Sequence, residues 1–136
     1  MIAAIKRKVA LENAFAASTF VYRPEYLSLI STFRCNFACE MCSIWKKTDF
    51  SDEMTDEQWL RLVPEFPKIF SPEAFVEITG GEPMIRKALV LALIPTLKKH
   101  FRGVSLNSNG SLLFDPDAIP SLERAGLDTM KISCTA

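Results

Sequence analysis

Short apolar segments alternate with amphipathic ones along most of the chain. Residues 26–32 are apolar, contain β-favouring residues and follow a proline, a pattern typical of a strand. Residues 74–79, 103–107 and 128–134 predict three more strands. The segments between the strands have helical character, so the predicted order is β-α-β-α-β-α-β. Such alternation predicts an α/β fold with a parallel sheet.

Three helices are predicted between the strands. The first begins after Thr55, which opens a capping-box sequence followed by apolar residues at helical spacing. The second covers residues 87–100, and Pro95 is expected to kink or loosen it. The third covers residues 117–124 and ends at Gly126, which favours the left-handed conformation of a helix end.

The remaining organisation is simple. The pattern of residues 1–25 predicts an N-terminal helix over positions 2–19 and a lead-in to the first strand. Residues 26–136 are predicted to form one core domain. The longest apolar run, 88–97, is shorter than the roughly 20 residues of a membrane span, and no signal peptide is recognised.

Composition narrows the partners and the compartment. Lysine plus arginine and aspartate plus glutamate number 16 each, so bulk charge gives no reason to expect a nucleic-acid partner. The 49% of hydrophobic residues is enough for a core. The cysteines do not form the evenly spaced framework of a secreted disulfide protein, so we expect a cytoplasmic location.

The candidate chemistry starts with Cys35, Cys39 and Cys42, which follow the first strand at C-x3-C-x2-C spacing. Clustered thiolates select zinc or iron–sulfur clusters, and three ligands leave one coordination position open. A structural zinc site usually has four protein ligands. The other candidates are Cys134 and His100, and neither is paired with a second ligand. The alternatives are therefore an iron–sulfur cluster, a zinc site or buried thiols.

Two further motifs follow the second and third strands. They are the segment from Thr79 to Pro83 and the turn from Asn107 to Gly110, each beginning at the last residue of its strand. The carboxyl ends of parallel strands lie at one edge, so the cysteines and both segments are predicted to meet there. If these segments have no binding role, the first is a strand-to-helix turn with Pro83 near the helix start, and the Asn-Gly pair is an ordinary turn.

In this order, the three motifs resemble those of the radical S-adenosylmethionine (radical SAM) superfamily, over about residues 27–133. The resemblance implies that Cys35, Cys39 and Cys42 ligate a [4Fe–4S] cluster whose fourth iron binds S-adenosylmethionine. It also implies a TIM-like (β/α)6 partial barrel, so this chain would hold about four β/α units and be truncated after the fourth strand.

The same resemblance implies a second set of site residues. Met41 stands where many members have an aromatic residue near the adenine. Gly80 and Gly81 would allow close backbone approach, and Glu82 would accept a hydrogen bond from the cofactor ammonium. The expected S-adenosylmethionine-binding residues are Met41, Gly80, Gly81, Glu82, Ser108, Asn109 and Ser133.

The implied function is that of a radical SAM enzyme or its N-terminal fragment. An external flavodoxin- or ferredoxin-like donor would reduce the cluster, and S-adenosylmethionine would yield methionine and a 5′-deoxyadenosyl radical. That radical would abstract hydrogen from a small molecule or peptide, as in members that modify peptides or build cofactors. Lys46 and Lys47 would attract the donor or an anionic substrate, unless they are simply solvated. The alternatives are a catalytically incomplete cluster-binding fragment and a small zinc or interaction domain.

Overall fold

A computed structural model of the chain describes Val9, Asn13 and residues 23–133. Most of the predicted helix over positions 2–19 lies outside this part; Val9 and Asn13 are both in helical conformation. The end of the predicted fourth strand, from Cys134, also lies outside it. No helix of the described residues is long and apolar enough to cross a membrane.

Four parallel strands form one sheet in the order β1-β2-β3-β4. The strands are β1 (Tyr26–Thr32), β2 (Phe75–Gly80), β3 (Gly103–Ser108) and β4 (Thr129–Ile132). The helices between them are α1 (Asp56–Leu62), α2 (Lys87–Lys98) and α3 (Ala118–Ala125). Short 3-10 helices cover Ile44–Lys46, Val63–Lys68 and Pro83–Arg86. The predicted α/β alternation and parallel sheet are confirmed.

The first helix starts as predicted but changes form after two turns. Thr55 and Gln58 make both capping-box hydrogen bonds, with distances of 3.2 and 2.8 Å. The chain then continues as the 3-10 helix Val63–Lys68, which contains Pro64 and Pro67. Proline has no N–H to donate and clashes with the preceding turn, so the α-helical part is shorter than the apolar pattern suggests.

The other two helices end within two residues of the predicted positions. α2 contains Pro95 and runs on to Lys98, two residues short of the predicted end. After α3, Gly126 has φ = +90°, and its N–H donates to the Glu123 carbonyl at 2.9 Å. The next N–H, of Leu127, donates to the Leu122 carbonyl at 3.1 Å, which completes a Schellman motif.

The core lies between one face of the sheet and the helices. Side chains alternate between the two faces of a strand, and the apolar set of each inner strand points toward the helices. The fully buried core includes Val76, Ile78, Val104 and Leu106 from the sheet and Leu89, Val90, Leu93, Ile94 and Leu97 from α2. On the opposite face, Tyr26 and Ile30 are exposed. Packing against the helices therefore fixes the strand ends while leaving the other face open.

Asp128 ties the start of β4 to the neighbouring elements. Its carboxylate accepts hydrogen bonds from the Lys98 ammonium at 2.5 Å and from the Val104 N–H at 2.7 Å. The Lys98 hydrogen bond, followed by that from Val104, holds the pKa of Asp128 below its usual value. A lowered folded-state pKa adds stability above the unfolded pKa of about 3.9, and this stability is lost as the pH falls through the folded-state value.

We therefore expect Asp128→Asn to reduce the acid sensitivity of the fold. Urea unfolding from about pH 6 down to about pH 3 should show a smaller loss of unfolding free energy below about pH 4 than in the wild type. Glu123→Gln, at an exposed position of α3, is the control for removing one carboxylate and should retain the wild-type pH dependence. Identical pH profiles for Asp128→Asn and the wild type would contradict this account of Asp128.

Candidate functional site

The cysteine loop, residues 33–43, leaves the carboxyl end of β1 without forming helix or strand. Cys35, Cys39 and Cys42 are all half-buried. A turn in which the Cys42 N–H donates to the Cys39 carbonyl at 3.1 Å brings the last two close along the chain. The loop therefore presents its three sulfur-bearing residues beside the carboxyl edge of the sheet.

One cavity of about 290 Å³ lies between this loop and the ends of the strands. Nine of the ten predicted site residues line it: Cys35, Cys39, Cys42, Met41, Gly80, Gly81, Ser108, Asn109 and Ser133. The structure thus brings all three motifs to one place, as the strand order predicts. Glu82 is the exception, because it lies behind the cavity wall.

Four residues outside the predicted site list also line the cavity: Phe37, Ile44, Thr79 and Asn107. Thr79 and Asn107 are the first residues of the two recognised motifs, at the ends of β2 and β3, so their motif position was an available signal. Asn107 also accepts a hydrogen bond from the Ser133 hydroxyl at 2.9 Å, which joins the ends of β3 and β4. For Phe37 and Ile44, the only signal in the sequence was an apolar side chain close to the cysteines.

The double glycine lies directly against the start of the cysteine loop. The Gly81 N–H donates to the Thr32 carbonyl at 2.9 Å. A Cβ on Gly80 would lie 2.2 Å from the Thr32 carbonyl oxygen, and one on Gly81 would lie 2.2 Å from that of Arg34. Gly80 also has φ = +141°. The glycines are therefore required by the approach of the chain's own backbone, whereas the sequence suggested the approach of a ligand.

Glu82 is completely buried, with a relative exposure of 0%. One carboxylate oxygen accepts the Met84 N–H at 2.9 Å, and the other accepts the Asn109 N–H at 2.7 Å. The Ser108 hydroxyl lies 3.0 and 3.1 Å from the two oxygens. Three donors thus surround the carboxylate, as a buried acceptor requires.

Asn109 connects the loop after β3 to the cysteine loop. Its side-chain amide donates to the Asn36 side chain at 2.9 Å and lies 4.0 Å from the Cys35 sulfur. Its side-chain oxygen accepts from the N–H and hydroxyl of Ser111, at 2.9 and 2.7 Å. Asn36 in turn donates to the Ser111 hydroxyl at 2.7 Å. The Asn-Gly turn is therefore also one wall of the cavity.

Residues 29–136 match the family model of the radical SAM superfamily. This chain belongs to that superfamily. The match begins in β1 and includes every motif that lines the cavity. The four-stranded parallel sheet is consistent with a partial TIM-like barrel of the superfamily.

Named relatives agree with this assignment. A probable GTP 3′,8-cyclase of Methanopyrus kandleri is 35% identical over 102 residues, 75% of this chain and 31% of the relative. A probable GTP 3′,8-cyclase of Saccharolobus islandicus is 32% identical over 82% of this chain and 35% of the relative. Molybdenum cofactor biosynthesis protein 1 of Bos taurus is 31% identical over 89% of this chain and 19% of the relative. The chain thus spans about a third or less of these relatives.

The residues present fit the cluster that the superfamily implies. Three thiols, the soft donors that iron–sulfur clusters require, line one cavity, and the Cys35 sulfur has N–H groups of Phe37 and Asn109 beside it at 3.5 and 4.0 Å. In the described part of the chain, no three His, Cys, Asp or Glu side chains are already gathered closely enough to hold a metal ion. The cysteine loop would therefore have to close around a cluster.

The positions of other candidate residues argue against a zinc site with His100. This residue is exposed and follows the end of α2, where the chain turns into the start of β3. It therefore lies at the opposite edge of the parallel sheet from the cysteines. Cys134, the remaining candidate, lies outside the described residues.

The lysines after the cysteines already have local contacts. The Lys47 ammonium lies 3.1 Å from the Asp52 carboxylate, and the Lys46 ammonium lies 5.6 Å from the ring centre of Trp45. The Trp45 indole N–H donates to the Cys39 carbonyl at 3.1 Å. These contacts hold the chain after the cysteine loop.

We expect Gly81→Ala to cost about 3 kcal/mol of unfolding free energy, because the new methyl group collides with backbone that cannot rotate away. Gly126→Ala is the matched control. Gly126 has a positive φ, but a Cβ there meets nothing within 4 Å, so only about 1 kcal/mol of conformational strain is expected. Denaturant unfolding of both variants measures the difference. Equal losses would show that the close approach to residues 33–34 does not constrain position 81.

Proposed function

We propose that this chain binds a [4Fe–4S] cluster through Cys35, Cys39 and Cys42 and holds S-adenosylmethionine in the adjoining cavity, as the N-terminal part of a radical SAM enzyme. The single observation that carries the proposal is that these cysteines share one cavity with the glycine pair and the loop after β3. Held by these residues and reduced, a cluster would supply the electron for cleavage of S-adenosylmethionine to methionine and a 5′-deoxyadenosyl radical, which would take a hydrogen atom from the substrate.

The chain's own part is to bind and orient. The S-adenosylmethionine-binding site proposed here is lined by Met41, Gly80, Gly81, Ser108, Asn109 and Ser133, and Glu82 lies buried behind this lining. Met41 is 80% exposed, so its thioether side chain is free to pack against an adenine ring. The glycine pair provides a wall without side chains, while the hydroxyl and amide groups at the ends of β3 and β4 provide polar contacts.

The partners follow from this chemistry. A one-electron donor of the flavodoxin or ferredoxin type would reduce the cluster, and a reducing cytoplasm is the compartment that suits half-buried thiolate ligands. Among the expected substrate classes, the relatives favour cofactor building, because their names refer to a GTP cyclase and to molybdenum cofactor biosynthesis. The substrate is accordingly proposed to be a small molecule.

Metal analysis with cysteine variants tests the ligand assignment. After anaerobic reconstitution, the wild type should hold about four iron and four sulfide ions per chain. Cys39→Ser should lose most of both, since a hydroxyl is a poor ligand for this cluster. Cys134→Ser, the control, should keep wild-type content because Cys134 lies outside the C-x3-C-x2-C segment and is not a predicted cluster ligand. One zinc ion per chain without sulfide would instead support the structural zinc alternative.

Product analysis separates an active enzyme from an incomplete fragment. With dithionite as reductant, the reconstituted chain should convert S-adenosylmethionine to 5′-deoxyadenosine and methionine, and Cys39→Ser should form neither. Chromatography of the quenched reaction measures both products. A full cluster with no 5′-deoxyadenosine would favour the catalytically incomplete cluster-binding fragment.

A further inference from the structure

We infer that Glu82 is a positioning residue of the proposed site: its buried carboxylate fixes the loop after β3 against the cysteine loop and does not touch S-adenosylmethionine. The inference deepens the proposed function and rests on it for one of its two readouts. The other readout, the mobility of the loop in the metal-free protein, does not depend on any ligand.

The Glu82 carboxylate is buried and fully hydrogen-bonded within the protein. Glu82 has no exposed surface and lies outside the cavity lining, so a ligand in the cavity has no path to its carboxylate. A buried carboxylate is tolerated only when donors replace its hydration. Here both oxygens are already occupied, by the N–H groups of Met84 and Asn109 and by the Ser108 hydroxyl.

The hydrogen bonds of Glu82 connect three separate segments of the chain. Met84 lies in the 3-10 helix after the double glycine, while Ser108 and Asn109 lie at the end of β3. The backbone N–H of Glu82 itself donates to the Arg34 carbonyl at 2.8 Å, at the start of the cysteine loop. One residue thereby joins the strand ends of all three motifs.

The loop after β3, which Glu82 holds, forms part of the cavity wall. Ser108 and Asn109 line it, and the Asn109 side chain reaches Asn36 and the Cys35 sulfur. The Ser108 hydroxyl also accepts the Gly110 N–H at 3.0 Å, which holds the turn closed. Loss of the Glu82 carboxylate would release this wall, and the cavity would lose its shape without losing any group that faces it.

The test uses Glu82→Gln in the intact protein, because glutamine keeps the side-chain volume and replaces one acceptor oxygen with an NH₂ donor. At least one of the three donors then loses its acceptor. The matched control is Glu77→Gln, in the strand that precedes Glu82. Glu77 is also largely buried, with 12% of its side chain exposed, but it pairs with Tyr26 and Lys131 and not with the loop after β3.

Residue-resolved hydrogen exchange on the metal-free protein gives the first readout. Glu82→Gln leaves one acceptor oxygen for the Asn109 and Met84 N–H groups, so exchange of at least one of these two amides should rise by about tenfold or more, the factor that corresponds to losing about 1.4 kcal/mol of protection. Glu77→Gln should leave both amides unchanged. Unchanged exchange of both amides in Glu82→Gln would overturn the inference.

The second readout separates positioning from direct contact. Binding of S-adenosylmethionine and of its analogue without the amino group is measured by anaerobic calorimetry on cluster-loaded wild type and Glu82→Gln. A positioning residue predicts that the variant weakens both ligands by the same factor, about tenfold. Direct contact with the ammonium predicts a loss with S-adenosylmethionine that disappears with the analogue, and this result would overturn the inference.

Two controls keep the outcomes distinct. If wild type carries a cluster but binds neither ligand, the S-adenosylmethionine proposal fails, and hydrogen exchange alone decides the role of Glu82. If Glu82→Gln does not fold, Ser108→Ala removes the hydroxyl that joins Glu82 to the turn. Faster exchange of the Asn109 amide, which donates to Glu82 and not to Ser108, would support the positioning role, and unchanged exchange of that amide would contradict it.

Discussion

The contact on which the site depends is the close approach of residues 80–82 to residues 32–34. It is a backbone contact: Gly81 and Glu82 donate N–H groups to the carbonyls of Thr32 and Arg34, and a Cβ on Gly80 or Gly81 would collide with these same carbonyls. Because it continues the pairing of β1 with β2 past the strand ends, the cysteine loop starts from a fixed position. The Glu82 carboxylate then extends the same arrangement to the loop after β3, so three separate motifs form one cavity.

The sheet below this cavity has two contrasting faces. One packs against α2 and α3 and holds the strand ends in register. The other carries a polar network in which Glu77 accepts hydrogen bonds from Tyr26 and Lys131, at 2.7 and 2.5 Å. The Lys131 hydrogen bond, followed by that of Tyr26, lowers the pKa of Glu77. The open face therefore carries a hydrogen-bonded polar network beside exposed apolar side chains such as Ile30.

Sequence periodicity predicted the elements well where local chemistry determines them. Thr55 begins one helix and Gly126 ends another through contacts within a few residues, so capping patterns in the sequence located both helix ends. The change from α-helix to 3-10 helix after Leu62 depends on Pro64 and Pro67, and the apolar spacing of this segment did not indicate it. The burial of Glu82 could not be predicted, because it depends on which distant segments supply its donors. The glycine pair was predicted to allow close approach of a ligand, and only the tertiary structure shows that backbone of residues 32–34 approaches both glycines.

The central claim is that this cavity is an open-site cluster centre. The most direct measurement is electron paramagnetic resonance of the anaerobically reconstituted, reduced protein, recorded with and without S-adenosylmethionine. The account predicts a [4Fe–4S]⁺ signal that changes when S-adenosylmethionine is added, because the cofactor would occupy the coordination position that the three cysteines leave open. A cluster signal that is indifferent to S-adenosylmethionine, or the absence of any cluster, would contradict it.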